Sequence, residues 1–513
     1  MMKRWMVWGA LICMPVVSNA QSDTVRVLSL REIYRQNVWL SGDNPVGLAF
    51  NSFGSFSVAK AGYCYEEGNN GNASFPVSAN KYVLSVNSFQ TIGKVNLYGG
   101  LEYRQSRDRG QNWKGMVNDY WQAANLCDSV TGKRHNETYH LSGAFSLPFR
   151  SHWLIGAKAD FRAQTVAKDS DPRNKNEWSE WLLAPGIGYQ MDKCTWGISL
   201  SYANKKETVD YQNMGAQRTY PYFVAYPLGF YNTLSGDEAI KWYYNAHEAG
   251  GTLQLAVDWQ RYRLFLELGG KLSKQDVESS PVYDYKEAES TVRQINYKGR
   301  LQRLLEGRRD EWSCFLSYQY ADNYEPVQQQ EESGVWKSYG KVLRSTRKSI
   351  ACGVSYGYVR FDEMGHPSLS VVSGVDYQYK KETLKFYPIE FLQPLHQYAL
   401  QTQFLRSISL PAAYLDYSVL VRYSIGNGTK LEERNFSSDQ ESQGLKLWQN
   451  MERLQQIYDD MTASRCGVNV TLTYTRKAPL CWFIRCSGLY EYSAKCRVSE
   501  NNKKIYMGIG LNF

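Results

Sequence analysis

The sequence predicts an all-β fold, a transmembrane antiparallel up-and-down β-barrel of about 16–18 strands. Three observations predict it. From about residue 52 onward the chain repeats alternating apolar and polar segments of roughly ten to fifteen residues, where a strand tilted about 45° needs roughly 9–11 to cross a bilayer. Globular strands run nearer 5–6 residues, so segment length discriminates where alternation does not. Short and long connections also alternate without a break, the pattern of short periplasmic turns and longer extracellular loops. Finally, no stretch beyond residue 20 approaches the roughly 20 apolar residues of a spanning helix, and the mean hydropathy is −0.50.

In chain order, residues 1–20 read as a secretory signal peptide. Lys3 and Arg4 start it, Trp5–Val17 is uncharged and mostly apolar, and Ser18-Asn19-Ala20 offers a small-x-small cleavage site. Ile12 before Cys13 argues against a lipoprotein signal, which wants a small residue there. Residues 21–50 form a periplasmic or lumenal amino-terminal segment. Ser29-Leu30-Arg31-Glu32 has the capping-box pattern, predicting a short helix to about Leu40. Asn44-Pro45-Val46-Gly47-Leu48 follows, which as a plain sequence is a turn built on Pro45 and Gly47. It also resembles a stretch near the mature amino terminus of FadL-like outer-membrane channels for hydrophobic compounds. That resemblance implies a small lumenal plug, with Asn44, Pro45, Gly47 and Leu48 as its candidate residues. The segment is too short for a TonB-dependent receptor's globular plug.

Residues 51–513 are the barrel. Trp153, Ile155, Ala157, Ala159 and Phe161 alternate with Leu154, Gly156, Lys158, Asp160 and Arg162. Trp196, Ile198, Leu200 and Tyr202 alternate with Thr195, Gly197, Ser199 and Ser201. Leu253–Trp259, Leu415–Val421 and Val468–Tyr474 repeat the theme. Short turns fall near Gln90–Gly93, Phe149–Ser151, Met191–Lys193, Gln260–Arg261, Gly307–Arg309, Met364–Pro367, Pro411–Ala413 and Lys477–Leu480. Long connections fall near 67–78, 107–135, 168–177, 209–248, 277–289, 324–344, 386–395, 428–462 and 495–503. Nine long and eight short connections join eighteen strands with both termini periplasmic, an even count as single-chain bacterial barrels have. Ser290–Leu304 is the weakest strand, and Pro185 predicts a bulge.

The chain ends on Tyr506-Met507-Gly508-Ile509-Gly510-Leu511-Asn512-Phe513, with an aromatic terminus and period-two alternation. Tyr506, Gly508, Leu511 and Phe513 resemble the closing-strand signal of bacterial outer-membrane β-barrels. The resemblance implies recognition by the barrel-assembly machinery, and residence in the outer membrane after signal cleavage, with membrane lipid as the surrounding partner. The chain as a whole resembles Bacteroidetes-type outer-membrane barrel proteins. Pairing of this tail with the first strand, near Ser52–Tyr65, would leave no unpaired edge in lipid.

Assigning the apolar phase to lipid puts Glu102, Arg104, Lys158, Asp160, Arg162, Asp258, Arg263, Glu267, Lys271, Asp416, Arg422, Arg485 and Glu491 in the lumen. Both signs are present in near balance, which predicts ion pairs along the wall in place of a single-sign selectivity ring. The loop near 209–248 carries Tyr222, Phe223, Tyr226, Phe230, Tyr231 and Trp242, a ring density that predicts a contact, either with neighbouring loops or with a partner such as another outer-membrane protein. A helix is expected from about Leu445 to Met461, with Leu447, Met451, Leu454, Tyr458 and Met461 as its apolar stripe.

The charge is +9, or +7 without Lys3 and Arg4, too mild for this length to imply a nucleic-acid partner. The 39 tyrosines and 15 tryptophans suit strands and membrane interfaces alike. Nine cysteines beyond the signal are odd in number and show no metal spacing; Cys314, Cys352 and Cys486 fall on the apolar phase as small hydrophobes. No nucleotide, calcium or metal motif is present, no cofactor is implied, and no serine–histidine–acid pattern suggests catalysis. His247-Glu248, at the extracellular rim, is the one pair to test. The functions expected are a pore for small or hydrophobic solutes or, alternatively, a non-catalytic accessory subunit of a larger outer-membrane complex.

Overall fold

A computed structural model describes residues 37–513 except 52–53, 69–71, 118–123, 216–219, 235–238, 281–284, 364–365, 436–447, 478–480 and 495–500. The proposed signal peptide, its cleavage site and the Ser29–Glu32 capping box lie outside the described residues.

The fold is a closed antiparallel barrel of 18 strands. In chain order they are β1 (Phe56–Glu67), β2 (Ser78–Ile92), β3 (Val95–Gln111), β4 (Gly132–Pro148), β5 (Trp153–Lys168) and β6 (Arg173–Gln190). Next come β7 (Cys194–Gln212), β8 (Ala239–Trp259), β9 (Tyr262–Ser280), β10 (Tyr285–Leu305), β11 (Arg308–Gln330) and β12 (Trp336–Phe361). The last six are β13 (Pro367–Phe386), β14 (Ile389–Ser409), β15 (Ala413–Gly428), β16 (Ser464–Arg476), β17 (Cys481–Ala494) and β18 (Asn501–Asn512). Each pairs with the next, and β18 returns to β1 in register from Val58↔Asn512 to Glu67↔Lys503. Closure satisfies the backbone polar groups that an open sheet would leave bare in hydrocarbon.

The alternation sets the two faces. On β5, Trp153 and Phe161 are exposed outward while Leu154 is buried inward. Val468, Val470 and Leu472 of β16 point out in the same way. Such a band of exposed apolar side chains is unfavourable in water and natural against lipid. Cys314, Cys352 and Cys486 share the outward phase of their strands, and the eight described cysteines are free thiols.

Several sequence expectations need correction. The long connections expected near 168–177, 277–289, 324–344 and 386–395 are mostly strand: β11 and β12 run 23 and 26 residues, and β13 meets β14 around Tyr387-Pro388. Beyond the bilayer both faces of a strand meet water, so the apolar alternation stops although the hydrogen-bonded ladder continues. Ser290–Leu304 sits in an unbroken ladder with both neighbours. Pro185 makes no bulge: the β6–β7 register keeps its frame from Leu183↔Tyr202 to Gly186↔Ser199, because the ring faces outward where it only costs ladder bonds. The segment expected as loop near 209–248 is not all loop, since β7 reaches Gln212 and β8 starts at Ala239, placing Trp242 on a strand. In place of a helix reaching Leu40, the described part of the amino-terminal segment has two 3-10 turns, Trp39–Ser41 and Pro45–Phe50.

Helix α1 (Met451–Thr462) starts six residues later than expected, because the Asn450 side chain accepts the Arg453 N–H at 3.0 Å and caps it. Leu445 and Leu447 lie outside the described residues. Leu454 and Met461 are buried, but Met451, at the first turn, is exposed and not part of the buried stripe.

Candidate functional site

The lumen is built from three parts: a wall of ion pairs, an amino-terminal segment against one side, and a cap of loops at the outer mouth.

On the wall, inward residues of opposite charge pair along a strand or across to another strand. Lys158 meets Asp160 at 2.8 Å, Arg104 meets Glu102 at 2.7 Å and Arg263 meets Asp258 at 2.7 Å. Arg162 approaches Glu180 at 3.8 Å, Lys271 reaches Glu248 at 3.2 Å and Glu267 binds Lys298 at 2.7 Å. Arg485 donates to the Thr473 hydroxyl at 3.1 Å, and Glu491 accepts from Asn502 at 3.1 Å. Asp416 and Arg422 share one phase of β15, where Arg422 is exposed. Lys205, Glu180 and Lys298 belong to this wall without having been singled out from the sequence, and Glu248, expected at the rim beside His247, belongs to it as well. All four lie on the inward phase, the signal available: Glu248 falls at the end of the segment expected as loop and Lys298 in the strand expected to be weakest, whereas Lys205 and Glu180 sit in expected strands.

Lys205 bridges Glu248 at 3.1 Å and Glu180 at 3.5 Å with its side chain 10% exposed. Without Lys205 each carboxylate keeps one cation, Lys271 for Glu248 and Arg162 for Glu180, so Lys205→Met is expected to cost about 1.5–3 kcal/mol, the worth of a charge-assisted hydrogen bond. A lowered midpoint for loss of the folded band on heating in detergent would register it; an unchanged midpoint would mean the ladder is worth nothing there.

The amino-terminal segment lies on the inward faces of β4 to β9. The Ser146 hydroxyl donates to the Val46 carbonyl at 3.3 Å, and the Asp43 N–H donates to Glu267 at 2.9 Å. Lys298 adds Asp43 at 3.6 Å. Trp39 sets its ring edge-on to Phe265 at 5.4 Å and stacks on Phe50 at 4.8 Å. Asn44, Pro45 and Val46 settle on paired inward glycines: a Cβ at Gly186 would stand 2.2 Å from Asn44 Oδ1, and one at Gly188 2.8 Å from Val46 Cγ1. Gly47 is needed for a close approach, since a Cβ there would stand 2.4 Å from the Trp39 carbonyl. Leu48 packs in a cluster with Leu40, Phe56, Phe89 and Phe483.

The cap is a four-stranded sheet made wholly from extracellular loops. Its central strand Tyr222–Ala225 pairs with Asn125–Cys127 on one side and Phe230–Leu234 on the other; Trp448–Gln449 completes it. Helix α1 packs beside it, with Leu454, Leu228 and Phe230 meeting Leu384 and Phe386 of β13. The aromatic loop residues are therefore spent inside the chain. Tyr222 and Trp242 join Leu126, Tyr211 and Tyr244 in the largest described cluster, and Phe223 packs with Trp113 and Tyr231. Tyr226, partly buried, packs against that largest cluster and against the one that holds Leu228, Phe230 and Leu454. Each fully buried ring contributes roughly 1.5–3 kcal/mol.

Polar anchors fix the cap to the barrel rim. Lys168 donates to Asp128 at 2.5 Å and to the Val130 carbonyl at 2.8 Å, and the Tyr211 hydroxyl donates to Asp128 at 3.0 Å. Asn176 donates to the Gly115 carbonyl, and the Leu126 N–H donates to the Tyr244 hydroxyl at 3.1 Å. Burial pushes the Cys127 thiol up to about 12, so it stays protonated and inert in the cap.

At the seam, Ser57 exchanges both backbone hydrogen bonds with Phe513, at 2.7 and 3.0 Å. The Tyr506 ring covers Gly62 and Gly508, its hydroxyl 2.5 and 2.4 Å from where their Cβ atoms would be. Leu511 points out to lipid. His247 and Glu248 point to opposite faces of β8: His247 accepts or donates to the Tyr202 hydroxyl at 2.7 Å outside, while Glu248 is held by lysines inside. As strand neighbours they cannot act on one substrate atom.

The chain belongs to the family described as a family of unknown function (DUF6850), whose model matches residues 45–513. No curated protein matches it. Among solved structures it is similar to the outer membrane transporter YddB from Escherichia coli at 8% identity, covering 89% of this chain and 81% of that one with a TM-score of 0.39. The toluene transporter TodX from Pseudomonas putida is 8% identical, with 92% of each chain covered and a TM-score of 0.32. The copper transporter OprC gives 9%, 90% and 83%, and 0.37. At such scores no activity carries over from these proteins to this one.

Proposed function

We propose that this outer-membrane barrel is a passive pore for small polar solutes, covered at its outer mouth by its own loops. One observation carries the reading. Below the cap, inward charges stand in open space: the side chains of Arg162, Arg104 and Lys158 are 50%, 49% and 40% exposed, although they point away from lipid. Exposed charge inside a barrel requires water beside it. The polar wall favours hydrated solutes over hydrophobic ones. Asn44, Pro45, Gly47 and Leu48 then act as a small plug that narrows one side of the lumen, and Tyr506–Phe513 as the element read by the assembly machinery. The protein acts without catalysis in this reading, supported by the opposed directions of His247 and Glu248.

Liposomes carrying the purified protein should swell in isotonic arabinose faster than empty ones. Swelling no faster than empty liposomes, and unchanged after removal of residues 21–50, would contradict the pore.

A second reading, a non-catalytic subunit of a larger outer-membrane assembly, draws on the β11–β12 hairpin. A membrane crossing uses roughly 9–11 residues of a tilted strand, so about half of each long strand projects beyond it, with Val327, Tyr339 and Val342 exposed there. Isolation in mild detergent would then yield a stoichiometric second protein; a lone barrel under several gentle conditions would remove this reading.

A further inference from the structure

We propose that the space between the cap and the upper wall of β11–β14 is a binding site for an organic anion, a solute of about sugar size bearing carboxylate or phosphate. A cavity of about 550 Å³ lies there, within the ordinary size of small-molecule sites. Segment 113–116 and α1 close it from above, and inward side chains of the wall close it from the side. Among its described lining residues five cations, Lys114, Arg347, Lys380, Arg453 and Arg465, face one carboxylate, Asp460. Glu382, beside them, takes Arg347 at 2.7 Å and Lys380 at 3.1 Å; Asp460 takes Arg465 at 3.1 Å. This contrasts with the near balance of charge on the wall below.

Two guanidinium groups are incompletely used. Arg453 Nη1 and Arg465 Nε are buried without a hydrogen-bond acceptor, and a buried donor on a charged group is costly until an acceptor reaches it. A second cavity of about 230 Å³, which shares Lys114 and Met116 with the first as lining residues, repeats the feature. There Arg134 is 2% exposed, and its Nε and Nη2 also lack an acceptor. Oxyanions fit such donors because the planar fork of a guanidinium matches two oxygens of one carboxylate or phosphate. Gln319, Gln378 and Gln397 line the larger cavity and offer amide groups to hydroxyls, which suits a sugar acid or sugar phosphate. The inference rests on the pore reading for how the anion reaches the cavity, and not for the binding itself.

The test is calorimetric titration of the full-length protein in detergent at low salt with glucose 6-phosphate, citrate and glucose. Both anions should bind and glucose should not. Arg453→Gln with Arg465→Gln should weaken binding by about tenfold or more, the loss expected from charge-assisted hydrogen bonds. Lys380→Gln sits on the wall and leaves the cap contacts in place; it should weaken anion binding while the folded, heat-modifiable barrel is retained. Glucose binding as tightly as glucose 6-phosphate, or a Lys380→Gln protein binding both anions unchanged, would overturn the site. A protein that conducts ions yet binds neither anion loses the site and keeps the pore; one that binds anions and conducts nothing keeps the site and loses the pore.

Discussion

Asp128→Ala is expected to release the cap from the barrel rim. Asp128 and Lys168 both have fully buried side chains, and Asp128 also accepts the Tyr211 hydroxyl. Removing the carboxylate leaves the ammonium with the Val130 carbonyl as its remaining hydrogen-bond partner among the described residues. Breaking such a pair costs about 3–5 kcal/mol. The loss falls on a local contact between loop and rim, so its outlet is cap opening while the barrel stays closed. Opening should become more frequent by about a hundredfold or more. Limited proteolysis reads it directly, as new cleavage between residues 112 and 131 in an otherwise resistant barrel. Replacing both partners with apolar residues, Asp128→Leu with Lys168→Met, should recover much of the resistance, because it leaves no charge to solvate. Equal resistance in Asp128→Ala and the unaltered protein would mean that the aromatic cluster alone holds the cap.

Loss of Phe513 is expected to act on assembly. That residue provides both backbone hydrogen bonds that hold the start of β1 at Ser57. Without it the closing ladder ends one residue early at the membrane edge, where unpaired backbone groups are costly. Heat-modifiable barrel in the membrane should fall to about a tenth, since closure is the step that hides the last edge. The barrels that do close should conduct as before, because Phe513 faces away from the lumen wall described above. Normal barrel levels would show that the tail is only another strand. The seam has a second support in Tyr506, whose ring lies over Gly62 and Gly508; Gly62→Ala would push against it and should give a milder defect.

The sequence was most legible where lipid imposes a rule. Leu253, Leu268, Val468 and Ile509 all point outward because every second residue of a spanning strand must satisfy hydrocarbon. The short turns were legible too: Gly93 and Gly307 hold positive φ of 61° and 66° at the ends of hairpins, where glycine is the cheap residue. Legibility stopped at the membrane boundary. Tyr324–Gln330 and Trp336–Val342 pair as strands, yet water on both faces removes the alternation that would announce them. Within the cap, all four residues of Tyr222–Ala225 are buried, a run with no period for a sequence reading to use. Pro221 and Pro227 bound it and were the available clue. The inward glycines Gly156, Gly186, Gly188 and Gly197 sat in plain view on the polar phase, but only the fold reveals that they adjoin one another and receive Asn44–Val46. The basic cavity draws Lys114, Arg347, Lys380, Arg453 and Arg465 from four separate stretches of chain, a convergence that no local spacing encodes.

A water-filled barrel whose outer mouth is closed over by its own loops should carry ions across a bilayer. Single-channel recording in planar bilayers tests it most directly, comparing the unaltered protein with one in which residues 113–127 are replaced by a short glycine–serine linker. Discrete ohmic steps are expected from both, larger and longer-lived in the shortened protein. Folded barrels that insert and conduct nothing, with the cap present or removed, would contradict it.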